Sequence, residues 1–299
     1  MKKALIYGVL ASLFFAFTFI FNRSMNLGGG YWIWSASLRY FFTLPILWFL
    51  VKSRKETALV HGEIKAHPVS WLLWSTVGFG LFYAPLTQAS VYGESWFVAA
   101  TWQITIVAGI LLTPLFGKPV PVKNLGFSGV ILVGIFLLQV SHFRNMEVAH
   151  MGTAFLLILL AAFSYPLGNR KMMSKCPGKM TTLQRVYGMT LCSMPFWILL
   201  SVYGAVTHGL PSFGQVVQSF VVALFSGVAA TLLFFEATNL VRHNPKQLAV
   251  IEATQSGEVL FTLLGGILFL GDPVPSAAGF AGILLIVAGM VGTSLASAK

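Results

Sequence analysis

Ten apolar segments, each roughly 18–24 residues long, follow one another along this chain, and a helix of that length crosses the hydrocarbon core of a bilayer. They run 4–23, 31–51, 69–88, 95–116, 124–141, 149–169, 182–203, 215–238, 247–270 and 277–297. In lipid no water is at hand for unpaired backbone groups, so a spanning segment must be a helix or part of a closed barrel. Barrel strands need only about half this length. The pattern therefore predicts an all-α polytopic membrane protein with ten transmembrane helices. Composition agrees: 57% of residues are hydrophobic, 9% are charged and the mean hydropathy is +0.81, whereas a soluble domain carries about a quarter charged residues.

The net charge of +11 would suggest nucleic acid in a soluble protein. Here it sits in short connections, where it reports topology. With the N-terminus inside, fifteen of nineteen basic residues are inner: Lys2, Lys3, Lys52, Arg54, Lys55, Lys65, Lys118, Lys123, Arg170, Lys171, Lys175, Lys179, Arg242, Lys246 and Lys299. Only Arg23 and Arg144 fall outside, and Arg39 and Arg185 fall within spans. An odd number of spans would scramble this asymmetry, so both termini are expected in the cytoplasm, with the chain in a bacterial inner (plasma) membrane. The apolar N-terminus lacks a small-residue cleavage site and reads as the first span, not a signal peptide. Trp32, Trp34, Trp48, Trp71, Trp74 and Trp96 lie near segment ends, as an interfacial aromatic belt would. Cys176 and Cys192 support neither a disulfide framework nor a metal site.

The chain also repeats itself at half length. GKPVP (Gly117 to Pro121) recurs as GDPVP (Gly271 to Pro275), and GFSGVIL (Gly126 to Leu132) as GFAGILL (Gly279 to Leu285). AATWQ (Ala99 to Gln103) aligns with EATQS (Glu252 to Ser256), and FNRSM (Phe21 to Met25) with GNRKM (Gly168 to Met172). Residues 1–145 and 146–299 are thus read as two five-helix repeats. Five is odd, so the second enters the bilayer inverted, a 5+5 inverted repeat around a central cavity, which is a transporter pattern.

With these features the chain resembles the drug/metabolite transporter superfamily. Asn22 to Phe42, ATWQITIVAG (Ala100 to Gly109), AAFSYPLGNRKMM (Ala161 to Met173) and EATQSGEVLF (Glu252 to Phe261) resemble its branch of putative multidrug resistance efflux transporters. The resemblance implies a cavity lined by helices 1 to 4 and 6 to 9, with helices 5 and 10 peripheral. In the small four-helix exporters of the superfamily a glutamate in the first helix carries protons. The first segment here holds no acid, nor does the sixth. Proton coupling therefore does not carry over by position.

Of eight acids, only Glu236, Glu252 and Glu258 fall within spans. A charge at mid-bilayer costs roughly 2.5–3.5 kcal/mol on insertion scales and normally faces a bundle interior or a wet cavity. On an unbroken helix Glu252 and Glu258 lie about 240° apart, with Gln255 between them. A glutamate here would bind substrate or exchange a proton; the alternative pairs it with Arg39 or Arg185 as structural glue. Ala99 stands opposite Glu252 in the repeat, and Ile104 or Thr105 opposite Glu258, so the repeat does not need the acids to fold. Trp102, Gln103, Tyr83 and Tyr165 are further substrate-contact candidates, with core packing as the alternative. Asn22 and Asn169 are repeat-matched amides that either touch substrate or cap and join helices. His142, His150 and His208 are expected on the outer surface.

The expected function is secondary active export of small organic molecules, drugs or metabolites, by alternating access with proton antiport. Two alternatives stand beside it: an uncoupled facilitator or exchanger of metabolites such as amino acids or nucleosides, and a non-transporting sensor or scaffold. No nucleotide-binding, metal or hydrolase motif occurs, so no enzyme activity, cofactor or metal is expected. The expected partners are a small-molecule substrate, protons and the lipid bilayer, in a monomer or homodimer.

Overall fold

The computed structural model describes residues 1–51, 53–117, 119–120, 122–142, 148–175, 180–241 and 243–297. Lys52, Lys118, Pro121, Arg144, Glu147, Cys176, Lys179, Arg242 and Lys299, which enter the charge, repeat and cysteine readings, lie outside the described residues. Every described regular element is helical. We number the long helices α1 (Lys2–Leu27), α2 (Trp32–Leu50), α3 (Pro68–Ala89), α4 (Ser95–Leu111), α5 (Val122–His142), α6 (Val148–Lys175), α7 (Thr182–His208), α8 (Phe213–Val241), α9 (Pro245–Ala253, continued to Leu270) and α10 (Ala277–Ser297).

Among the described residues, nine of these are long and apolar enough to cross a membrane, and α4 is a shorter apolar helix. The reason α4 falls short is local. It breaks at Gln103 between Ser95–Trp102 and Ile104–Leu111, then ends in a 3₁₀ turn, Thr113–Phe116. Helix α9 breaks at the matching place, with a 3₁₀ turn at Thr254–Ser256. Helices α3 and α8 carry wide π turns at Thr76–Gly80 and Ala223–Ala229. Such turns leave backbone groups that neighbouring helices must satisfy, and they recur at functional positions. Gly117 and Gly271, which open the GKPVP and GDPVP motifs, both take the left-handed conformation that ends the preceding segment (φ +71° and +68°).

Packing follows a reciprocal pattern. Helix α1 packs on α8 and α9, and α6 packs on α3 and α4. Helix α2 packs on α8 and α7 on α3, while α2 and α7 meet each other. Helices α5 and α10 pair most extensively with one another and join the rest through α4 and α9, in the peripheral place expected of them. They approach closely at Gly134 and Gly282, where a Cβ on either would stand 2.6 Å from the other's carbonyl oxygen. Small residues let helices approach in lipid, where packing replaces the hydrophobic drive. A second close crossing joins α3 and α6: a Cβ on Gly168 would lie 2.3 Å from the Gly78 Cα.

The polar connection after α2 is folded: Arg54–Ala66 forms a short amphipathic helix, capped by the Ser53 hydroxyl accepting from the Glu56 amide. Its Val60 is fully buried against Leu47, Val51 and Tyr187. The tryptophans do not all form a belt. Trp71 and Trp96 are buried (1% and 2% exposed), and the Trp34 and Trp96 indoles donate to the Gly209 and Pro273 carbonyls. They lock helix ends together, as a buried indole N–H requires a partner. Trp48 is exposed as a belt residue would be. His150 and His208 are exposed as expected, with His208 stacked 3.6 Å from the Tyr31 ring.

Candidate functional site

The breaks in α4 and α9 come together where Ser95–Trp102 packs on Gly257–Gly265. Glu258 lies just past the α9 break, and the Gln103 amide at the α4 break interacts with its carboxyl group. Glu258 is half-buried and forms no ion pair among the described residues. Tyr165, which interacts electrostatically with Glu258, belongs to a cluster of three aromatic rings: Phe82 lies 5.0 Å from Trp102 and 4.7 Å from Tyr165, and Trp102 lies 5.9 Å from Tyr165, between ring centroids. Trp102 and Gln103 are buried, but Tyr165 keeps 40% of its surface accessible. Its hydroxyl is within electrostatic range of Glu258, Arg39 and Arg185. The partly open Tyr165 thus lies among charged groups from α9, α2 and α7, and this cluster is called the chamber below.

Arg39 forms the α2 wall. Its guanidinium lies 4.0 Å above the Tyr83 ring and 5.8 Å from Tyr40, which stacks on Trp197 at 4.4 Å. Tyr83 is itself fixed by Asn22, their side chains exchanging hydrogen bonds of 3.2 and 3.3 Å. Gly227, in the α8 π turn, lets α8 come close here: a Cβ would stand 3.0 Å from Thr43 Oγ1 and 3.7 Å from Arg39 Nε.

The end of the bundle that the charge pattern assigns to the outside is laced shut. Asp272, only 5% exposed, accepts from the Ser95 amide at 3.0 Å and the Ser95 hydroxyl at 2.6 Å. It also pairs with Arg23 Nε at 3.9 Å, and Arg23 reaches the Ser90 carbonyl. One carboxylate thus ties the end of α1, the start of α4 and the connection after α9. At the other end Arg170, the repeat mate of Arg23, donates to the Gly109 carbonyl on α4.

A family profile of putative multidrug resistance efflux transporters matches residues 2–299. The chain belongs to this family. Similar proteins are the "Uncharacterized protein YjlA" of Bacillus subtilis (strain 168), 49% identical over 308 residues that cover 99% of this chain and 95% of that protein, and the "Uncharacterized 42.1 kDa protein in intracellular alkaline protease 3'region" of Shouchella clausii, 43% identical over 266 residues that cover 86% and 70%. The family is one of transporters, not enzymes, and its members are integral membrane proteins that export small molecules.

In this efflux transporter the sequence candidates divide by place. Glu258, Gln103, Trp102, Tyr165, Arg39 and Tyr83 surround the chamber, with Asn22 behind Tyr83. Glu252 lies six residues nearer the Pro245 end, half-buried and without a polar partner among the described residues. Gln255 sits in the break between the two acids, its Nε2 buried without a hydrogen-bond partner among the described residues. The 3₁₀ turn also means that the ideal-helix angle between Glu252 and Glu258 does not apply. Asn169 turns back on its own helix, donating to the Tyr165 carbonyl at 2.8 Å. Glu236 is exposed near the far end of α8, away from the chamber. Sequence reasoning missed Asp272, Ser95 and Phe82. The signal for Asp272 was present: it replaces Lys118 in the repeat and falls on the same expected face as Arg23.

Proposed function

We propose that this chain is a secondary active exporter that works by alternating access, with Glu258 as the group that trades a proton for substrate. The observation that carries the reading is the position of Glu258. An acid on a broken helix, beside Gln103 and the Tyr165 aromatic cluster and paired with no cation among the described residues, gains nothing from a purely structural role. The reciprocal packing, the matched breaks and π turns and the matched left-handed glycines support two inverted repeats, residues 1–145 and 146–299, that rock about this centre. The laced end around Asp272 is then the closed outer mouth, and the lysine and arginine bias supports cytoplasmic termini. A single ten-helix chain contains both halves, so a monomer suffices.

The test is proton movement in proteoliposomes during export of a panel of dyes and metabolites. Glu258→Gln is expected to abolish substrate-driven proton flux, and Glu252→Gln to preserve it. Normal coupling in Glu258→Gln would refute the carboxyl mechanism. Counterflow in the wild type with no dependence on a pH gradient would replace it with uncoupled exchange.

A further inference from the structure

We infer that the chamber takes a zwitterion, a small molecule bearing one anionic and one cationic group on an apolar, aromatic body, and that Arg39 holds the anionic group. The inference rests on the reading of the chamber as the substrate site and names what that site recognises.

The other arginines near the pathway are accounted for: Arg23 pairs with Asp272, Arg170 donates to Gly109, and Arg185 on α7 has interactions of its own. Arg39 differs. It lies seven residues into a 19-residue span, and its Nη1 is buried with no hydrogen-bond partner among the described residues. It forms no ion pair there either. Stacking on Tyr83 occupies the face of the guanidinium and leaves its edge, where the N–H donors are. That edge matches the two oxygens of a carboxylate or the oxygens of a phosphate.

A carboxyl group that would neutralise Arg39 is present in the chamber, yet the fold keeps it away. Glu258 and Arg39 both lie within electrostatic range of the Tyr165 hydroxyl without pairing with each other. In a low-dielectric interior a direct pair would be the simplest way to hold two opposite charges. Two separated charges, each with hydrogen-bonding capacity to spare, are instead complementary to a ligand that carries both signs. A lipophilic cation would satisfy Glu258 and leave Arg39 facing like charge. A simple anion would do the reverse. The rings of Phe82, Trp102 and Tyr165 supply the surface for an aromatic body between the two ends.

The experiment uses the full chain in nanodiscs with three probes that share one ring: phenylalanine, phenethylamine and hydrocinnamate. The zwitterion is expected to bind more tightly than either singly charged relative by roughly tenfold to a hundredfold, as the loss of one charge-assisted hydrogen-bonding partner implies. Arg39→Gln is expected to erase the preference for phenylalanine over phenethylamine. Glu258→Gln is expected to erase its preference over hydrocinnamate. Arg39→Lys keeps the charge without the planar fork and should retain part of the preference. Each preference is a ratio measured within one variant, so a misfolded fraction cancels. Phenethylamine binding as tightly as phenylalanine, unchanged selectivity in Arg39→Gln, or no phenylalanine binding at millimolar concentration overturns the inference. Cation export that needs Glu258 and ignores Arg39 overturns it while leaving the transport reading intact. Indifference to both residues sinks both.

Discussion

Asp272→Asn is the sharpest probe of the closed mouth. The substitution keeps the shape and one carbonyl acceptor, so Ser95 retains a partner. It removes the charge that Arg23 faces at 3.9 Å and weakens two charge-assisted hydrogen bonds, of 3.0 and 2.6 Å, to neutral ones. A hydrogen bond to a charged group contributes about 1.5–3 kcal/mol, against about 1 kcal/mol for a neutral one. Summed over two bonds and a partly solvated ion pair, the closed mouth should lose roughly 2–4 kcal/mol relative to the open one. That raises local opening by roughly 30-fold to 1,000-fold. Hydrogen–deuterium exchange followed by mass spectrometry reads this directly. Amides of Ser95–Trp102 and of the connection after Leu270 should exchange faster by that order, while the α5–α10 pair should not change. Arg23→Gln should show the same pattern with a smaller amplitude, because Arg23 still leaves Ser95 bound to Asp272. Unchanged exchange at Ser95–Trp102 in Asp272→Asn would refute the view that this carboxylate closes the mouth. Faster exchange everywhere would mean that it supports the whole fold instead.

Other substitutions test the packing and the chamber. Gly168→Ala should abolish folding or lower the thermal unfolding temperature sharply, because its Cβ would overlap the Gly78 backbone at 2.3 Å. Gly152→Ala on the same helix meets nothing within 4 Å and should stabilise by up to about 1 kcal/mol; a similar unfolding temperature for the two variants would contradict the close α3–α6 crossing. Tyr83→Phe strands a buried Asn22 amide and should cost about 1–3 kcal/mol in thermal or denaturant unfolding, without removing the ring that carries Arg39. Trp96→Phe removes the bond to the Pro273 carbonyl and part of a fully buried ring, and should cost about 2–4 kcal/mol in unfolding; an effect below about 1 kcal/mol would mean that the indole does not join these ends.

The helices were legible because a twenty-residue apolar run has one solution in lipid, and the matched motifs were legible because they are short and ordered. The chamber was legible in part. Glu258, Gln103, Trp102 and Tyr165 stand out as polar or aromatic residues in apolar surroundings, and that contrast is a sequence property. Phe82 does not stand out, since one phenylalanine among 26 carries no signal until its neighbours are known. The α4 break carries no such signal, since Gln103 lies between Trp102 and Ile104, ordinary helix residues, with no proline or glycine beside it. The α9 break does carry one: it runs into Gly257, a residue that permits a bend or a close helix contact and packs against Ser12. Asp272 falls outside the ten spans by sequence, and a place between spans does not announce burial. Turn residues are normally solvated, and contacts distant in sequence, with Ser95 177 positions earlier and Arg23 on α1, help to bury this one.

The mouth and the chamber are joined through one stretch of α1, and this makes their coupling measurable. Arg23 faces Asp272, and its neighbour Asn22 is bonded to Tyr83, whose ring carries Arg39. If α1 moves as a unit when the mouth opens, breaking the Asp272 contact must strain or release the Asn22–Tyr83 bond. A double-mutant cycle of Asp272→Asn and Tyr83→Phe, read as exchange at Ser95–Trp102, should then be non-additive by about 0.5 kcal/mol or more, as found for residues in one network. Additive effects would mean that the mouth opens without disturbing the Arg39 wall. In that case the signal from substrate to mouth would have to run through α9, where Glu258 and the left-handed Gly271 before Asp272 lie on the same segment.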